Sequence, residues 1–111
     1  MVKIEAVIQP AKVEEVRAAL GALGVAGTLL LHPIAGGGEA RSCYRGAEYT
    51  VDTPRVKVEL LAQAERVEEI VAALMHAART RLPGDDGTIV VYEVADAIRI
   101  RTGAHLQYTA A

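Results

Sequence analysis

Apolar and polar residues alternate at the start of the chain. Val2, Ile4, Ala6 and Ile8 fall on one side, and Lys3, Glu5 and Gln9 on the other. A period of two is that of a strand with one face buried. Pro10 ends it, because proline has no amide hydrogen to give the ladder. Over 11–23 the period changes: Val13, Val16, Leu20 and Leu23 return at helical spacing, with Glu14, Glu15 and Arg17 outside. Gly24 is a natural helix stop. GTLLLHPI at 27–34 reads as a second strand, RVKVELL at 55–61 as a third and TIVVYEV at 88–94 as a fourth. A second helix is predicted over 65–79, where Val67, Ile70, Val71 and Leu74 share a face and the early glutamates suit the helix dipole. RLPGDDG is a turn by composition. AIRIR at 97–101 alternates once more as a short extension, and GAHLQYTAA has no strong pattern. Between strands two and three, AGGGEARSCYRGAEYTVDTP is rich in glycine and polar residues and has no sustained period. A compact domain rarely carries an unstructured loop of about 18–20 residues without a use for it.

The order β-α-β, long loop, β-α-β predicts an α+β, ferredoxin-like βαββαβ sandwich, with one mainly antiparallel sheet and both helices on one face. The halves are alike in plan, and no sequence repeat stands out between them. The open sheet face is expected to be apolar too, which points to subunit packing across it. The 111 residues fit one domain, 1–111. With no Trp and no Phe, its core must be aliphatic and modest, so association would help it. No apolar run approaches the ~18–20 residues needed to cross a bilayer, and the N-terminus lacks the apolar stretch of a secretion signal. A net charge of −2 gives no general attraction to nucleic acid or anionic membrane. The single cysteine, Cys43, excludes an intrachain disulfide and a thiolate zinc cluster; a reducing cytoplasm is the expected setting.

Three stretches could carry chemistry. In PGDDG at 83–87 the glycines allow close backbone approach, and successive amides can form an anion nest. Asp85 and Asp86 would suit a ribose hydroxyl, an amide or a cation better than a phosphate; the alternative is an ordinary turn. In IRIRTG at 98–103, a strand would put Arg99 and Arg101 on one face, where two like charges repel unless an anion sits between them. The alternative is a charged edge that resists aggregation. In YRGAEY at 44–49, Tyr44, Arg45, Glu48 and Tyr49 surround a small pair on a loop, the composition of a docking segment. His32, His76 and His105 are dispersed and read as structural or surface residues, with no metal-ligand spacing among them. Cys43 has no evident partner base, and no nucleophile elbow, zinc-protease or Walker motif occurs, so no catalytic residue is assigned.

KIEAVIQPAKVEEVRAALGALGVAGTLL resembles the opening of the PII signal-transduction proteins, YRGAEYTVD the heart of their T-loop, VKVELL their third strand, AART with GDDGTI their B-loop, and IRIRTG their C-loop. YRGAEY together with IRIRTG is a specific pair. The resemblance covers residues 1–103 and implies a homotrimer with adenine nucleotides in the clefts between subunits. It implies a T-loop at about 36–53 that docks on a target protein, a B-loop at about 81–88 and a C-loop at about 98–103. By position, Gly27 and Thr28 would lie near the adenine, and Gly36 and Gly37 at the T-loop base. Arg55 replaces the family's lysine after the T-loop. Gly84, Asp85, Asp86, Gly87 and Thr88 would form the B-loop, and Arg99 and Arg101 would reach the phosphates from the neighbouring subunit. Tyr49 matches a tyrosine that is uridylylated in some bacterial members.

The departures shape the expected ligand. AGGGEA at 35–40 stands where the family reads roughly GFGRQ, so the glutamine that helps hold magnesium and 2-oxoglutarate is missing. Thr88 replaces a phosphate-binding lysine, and Leu82 stands where another lysine is usual. Fewer cations stabilise a triphosphate less, so ADP or AMP is expected to be preferred over ATP. The departures look like those of a divergent, PII-like member; such relatives often serve carbon or transport physiology, which makes bicarbonate at the amides of Gly36, Gly37 and Gly38 a further expectation. Three alternatives stand beside this reading: a conventional nitrogen-regulatory PII responding to ATP and 2-oxoglutarate, a small nucleotide hydrolase using Asp85 or Asp86, and a metal-tolerance trimer of the same fold.

Overall fold

The computed structural model describes residues 1–25, 30–34, 41–44, 47–50, 54–80 and 87–106. Its elements are β1 (Val2–Ile8), α1 (Val13–Ala22), β2 (Leu30–Ile34), β3 (Arg41–Tyr44), β4 (Ala47–Thr50), β5 (Arg55–Ala62), α2 (Val67–Ala78) and β6 (Thr88–Glu93). The main sheet has the order β2-β5-β1-β6, and every neighbouring pair in it is antiparallel. This is the expected ferredoxin-like arrangement.

The alternation of β1 translates directly into burial: Val2, Ile4, Ala6 and Ile8 are buried, and the residues between them are not. In β5, Val58, Leu60 and Ala62 are buried on the same face. Val16 and Leu20 of α1, and Ile70, Leu74, Ala77 and Ala78 of α2, close over this face as one aliphatic core. Ala18 and Arg17 stay outside, as helical spacing requires. The first helix ends by a Schellman closure. Gly24, at φ 77, donates to the Gly21 carbonyl, and Val25 donates back to the Leu20 carbonyl while its side chain is buried. Arg66 ties the halves together at this point. Its Nη2 donates to the Leu23 carbonyl at 2.6 Å, placing a cation at the negative end of α1, and its Nε meets Glu69 at 2.6 Å.

Four expectations are corrected. The first concerns the halves, which are a sequence repeat once aligned by structure. Residues 2–20 read VKIEAVIQPAKVEEVRAAL, and residues 56–74 read VKVELLAQAERVEEIVAAL. In both, a strand ends at a glutamine, and a short 3-10 turn (Pro10–Lys12, Ala64–Arg66) leads into a helix beginning Val-Glu-Glu. The second concerns the long loop, in which β3 and β4 pair as a separate hairpin. The third concerns AIRIR, which is not a strand. Ile98 bridges His105, and 100–102 turn.

The fourth concerns the open sheet face, which is not apolar at its centre. Glu5 and Glu59 stand directly opposite each other in the β1–β5 register. Facing carboxylates repel. Lys3 lies 3.4 Å from Glu5 and 3.6 Å from Glu59, and Lys57 lies 3.8 Å and 3.6 Å from the same two, so each cation serves both acids. His32 adds a contact to Glu59 at 3.6 Å, and the Lys3 ammonium sits 5.1 Å from the Tyr92 ring centroid. Burial pushes the Glu59 carboxyl up, but the pull of Lys3, Lys57 and His32 prevails and holds it below the usual carboxylate range. A carboxylate held low stabilises the fold fully above its unfolded value, and that contribution is lost as pH falls through the folded value. Denaturant midpoints followed between about pH 6 and about pH 3 should therefore fall more steeply for the native chain than for Glu59→Gln. Parallel curves would contradict the ladder's role.

Candidate functional site

Two features of the described residues bear on ligand binding, and β6 separates them. At its start, Gly87 has φ 110, and a Cβ there would fall 1.8 Å from the Val7 carbonyl oxygen. The Gly87 backbone therefore lies against β1 as closely as glycine alone allows. Thr88 follows, exposed, opposite Val7. Gly87, Thr88 and Arg79 border a groove of about 440 Å³ whose walls are largely apolar: Val71, Leu74, Met75 and Ala78 of α2 face Ile89 and Val91 of β6. Met75 and Val91 are about half exposed there, so β6 extends beyond the cover that α2 provides.

Beyond the other end of β6, residues 97–106 form a short finger. Leu106 donates to the Ala97 carbonyl at 2.7 Å, Arg99 to the Ala104 carbonyl at 2.9 Å, and Gly103, at φ 70, to the Arg99 carbonyl at 2.8 Å. Thr102 Oγ1 accepts from the Ala104 amide at 3.2 Å. Asp96 closes the base. Its Oδ1 accepts from the Ala97 amide at 2.8 Å, and its Oδ2 lies 2.7 Å from His105 Nδ1. Arg99 and Arg101 are both exposed, as is all of 99–105, and Ile100 at the tip is fully so. Arg101 lies in the turn and Arg99 just before it, so the strand rule for residues two apart does not apply to them. β6 spans six residues at roughly 3.3 Å each, so Thr88 and the finger are attached to opposite ends of a strand on the order of 17–20 Å long.

Arg55, the first residue of β5, is 5% exposed and lies opposite Ile34. It is part of the folded body, unlike the finger's arginines. Tyr44, Glu48 and Tyr49 fall on the β3–β4 hairpin, where Tyr44 pairs with Ala47, Cys43 with Glu48 and Ser42 with Tyr49. Gly27, Thr28, Gly36, Gly37, Arg45, Gly84, Asp85 and Asp86 lie outside the described residues. Among the described residues, no group of three or more His, Cys, Asp or Glu could hold a metal, and no helix is long and apolar enough to cross a membrane. The sequence reading missed that Asp96 and His105 meet at the base of the finger. Their signal was available: an acid and a histidine flank RTG at a spacing that a hairpin brings together. It also missed that Gly27-Thr28 and Gly87-Thr88 open corresponding stretches, GTLLLHP and GTIVVYE, of the two halves.

The described residues thus form an aliphatic ferredoxin-like body with an exposed finger that carries two arginines, and a separate two-stranded hairpin. Comparison makes this specific. The chain matches the family described as nitrogen regulatory protein P-II over residues 1–104. It is 43% identical over 107 residues to a nitrogen regulatory protein P-II of Pasteurella multocida, covering 93% of this chain and 94% of that one. It is 44% identical over 106 residues to one from Rhodospirillum rubrum, with the same coverages, and 41% identical over 107 residues to P-II 1 of Escherichia coli, again with 93% and 94% covered. The crystal structure of Arabidopsis thaliana PII bound to citrate superimposes with a TM-score of 0.75 at 28% identity, covering 96% of this chain and 85% of that one. The chain belongs to the P-II family. It is a signalling protein of that family, and its relatives are named as regulatory proteins, not enzymes.

Proposed function

We propose that the protein assembles as a homotrimer, binds adenine nucleotides in the clefts between subunits with ADP and AMP favoured over ATP, and signals through its T-loop to a target protein. The distance along β6 carries this reading. Gly87-Thr88 and the arginine finger are attached to opposite ends of β6, which supports a shared ligand that takes the finger of a neighbour. The exposed Val90, Val91 and Tyr92 of β6, and Ile98 and Ile100 of the finger, supply apolar surface that association would cover. In this reading Gly27 and Thr28 meet the adenine, Gly36 and Gly37 form the T-loop base, and Gly84, Asp85, Asp86, Gly87 and Thr88 line the B-loop. Arg55 closes the T-loop, and Tyr44, Arg45, Glu48 and Tyr49 face the target. Thr88 in place of a lysine lowers the cationic charge available to a triphosphate, which favours ADP or AMP. The absence of the T-loop glutamine favours a carbon-linked signal, with bicarbonate at the glycine amides, over 2-oxoglutarate. A conventional nitrogen regulator responding to ATP and 2-oxoglutarate is the second reading, favoured by the names of relatives above 40% identity.

Titration calorimetry with ATP, ADP and AMP, each with and without magnesium and 2-oxoglutarate, separates the two. ADP and AMP are expected to bind in the micromolar range and more tightly than Mg-ATP. Mg-ATP binding that 2-oxoglutarate strengthens would establish the second reading instead. Silence with all three nucleotides would sink both.

A further inference from the structure

We infer that Asp96 and His105 are positioning residues: together they latch the base of the finger and hold Arg99 and Arg101 ready for an anionic ligand. The inference rests on the reading of those arginines as phosphate-binding arms. Every residue from 99 to 105 is exposed, so no core packing fixes the tip. Its shape depends on the hydrogen bonds within 97–106 and on the Asp96 carboxylate, which reaches both arms of the finger, Ala97 on one and His105 on the other. Two guanidiniums close together repel, and on a loose tip they would splay. A ligand would then have to order the tip as it binds, at a cost in side-chain and backbone freedom that a preformed tip avoids. Neither residue touches the ligand in this scheme. Ile98 bridges His105, so the latch sits at the base of the finger and the arginines lie further along it towards the turn.

Calorimetry with ADP tests the latch on five proteins: native, Asp96→Asn, His105→Ala, His105→Lys and Arg101→Ala. Asp96→Asn keeps the acceptor for the Ala97 amide but loses the charge facing His105. It and His105→Ala should each weaken ADP about two- to fivefold, the range expected of a surface pair. His105→Lys, whose ammonium can still reach Asp96, should bind within error of native; a purely structural role for the ring would not give this rescue. Amide exchange at Arg99, Gly103 and Leu106 should quicken in Asp96→Asn and stay native in His105→Lys. Loss of affinity in Arg101→Ala with no change in Asp96→Asn or His105→Ala would overturn the latch alone. No change in Arg101→Ala would overturn the phosphate reading and the latch with it.

Discussion

Gly87→Ala should lower the stability of the fold by about 3 kcal/mol or more, a drop of roughly 10–20 °C in Tm for a domain of this size. Two costs combine. A φ of 110° is one that residues with a Cβ rarely adopt, and the added Cβ would meet the Val7 carbonyl at 1.8 Å. Val7 belongs to the central strand β1, paired on both sides, so its carbonyl cannot yield as a side chain could. Either the pairing of β1 with β6 opens at Thr88 or the preceding loop rebuilds. Gly24→Ala separates the two costs. Its φ is 77°, but nothing lies within 4 Å of the new Cβ, so strain alone should cost about 1–2 kcal/mol. Equal losses at the two positions, measured by thermal and denaturant unfolding, would show that the close approach to Val7 does not matter.

The contrast between these glycines shows what a sequence can convey. Gly24 is legible because a helix pattern stops at it. Gly87 sits in a loop whose composition says only that it turns; its demand comes from a strand far away in the chain. The body of the fold was legible for the same reason as Gly24. Val2, Ile4, Ala6 and Ile8, or Val16 and Leu20, repeat at the period of the element that buries them. The open sheet face was misjudged because its character is set by register. Lys3, Glu5, Lys57 and Glu59 form a charge ladder only once β1 and β5 are side by side. The β3–β4 hairpin and the finger failed in opposite directions. Arg41–Tyr44 has no hydrophobic alternation, and the alternation of Ala47–Thr50 is only four residues long, too short to announce a strand inside a glycine-rich stretch. AIRIR alternates, yet its hydrogen bonds close locally on Ala104 and Leu106 instead of joining the sheet. For the site, YRGAEY and IRIRTG were enough to indicate the family, but not to place Arg101 on a turn or to find the Asp96 carboxylate at the base of the finger.

Arg101→Ala should weaken ADP binding by about ten- to a hundredfold, the loss expected when a charged hydrogen-bonding partner of a phosphate is removed, and leave the unfolding curve unchanged because the side chain is exposed. Arg99→Ala should act in the same direction, and the double variant should fall short of the sum, because neighbouring guanidiniums share one anion. The decisive form of the experiment uses mixtures. Thr88→Glu puts a carboxylate at the start of β6, some 20 Å along the strand from the finger, and should by itself repel the phosphates. If each cleft joins the start of β6 from one subunit to the finger of the next, unfolding and refolding the two defective proteins together restores about a quarter of the clefts, since a ring of randomly mixed subunits places one intact half beside the other at that frequency. A site contained within one chain has no such route, because every subunit in the mixture carries one of the two lesions. Recovery of ADP binding in the mixture, absent from either parent, therefore requires a ligand held across the interface; failure to recover, with mixed oligomers present, confines it to a single subunit.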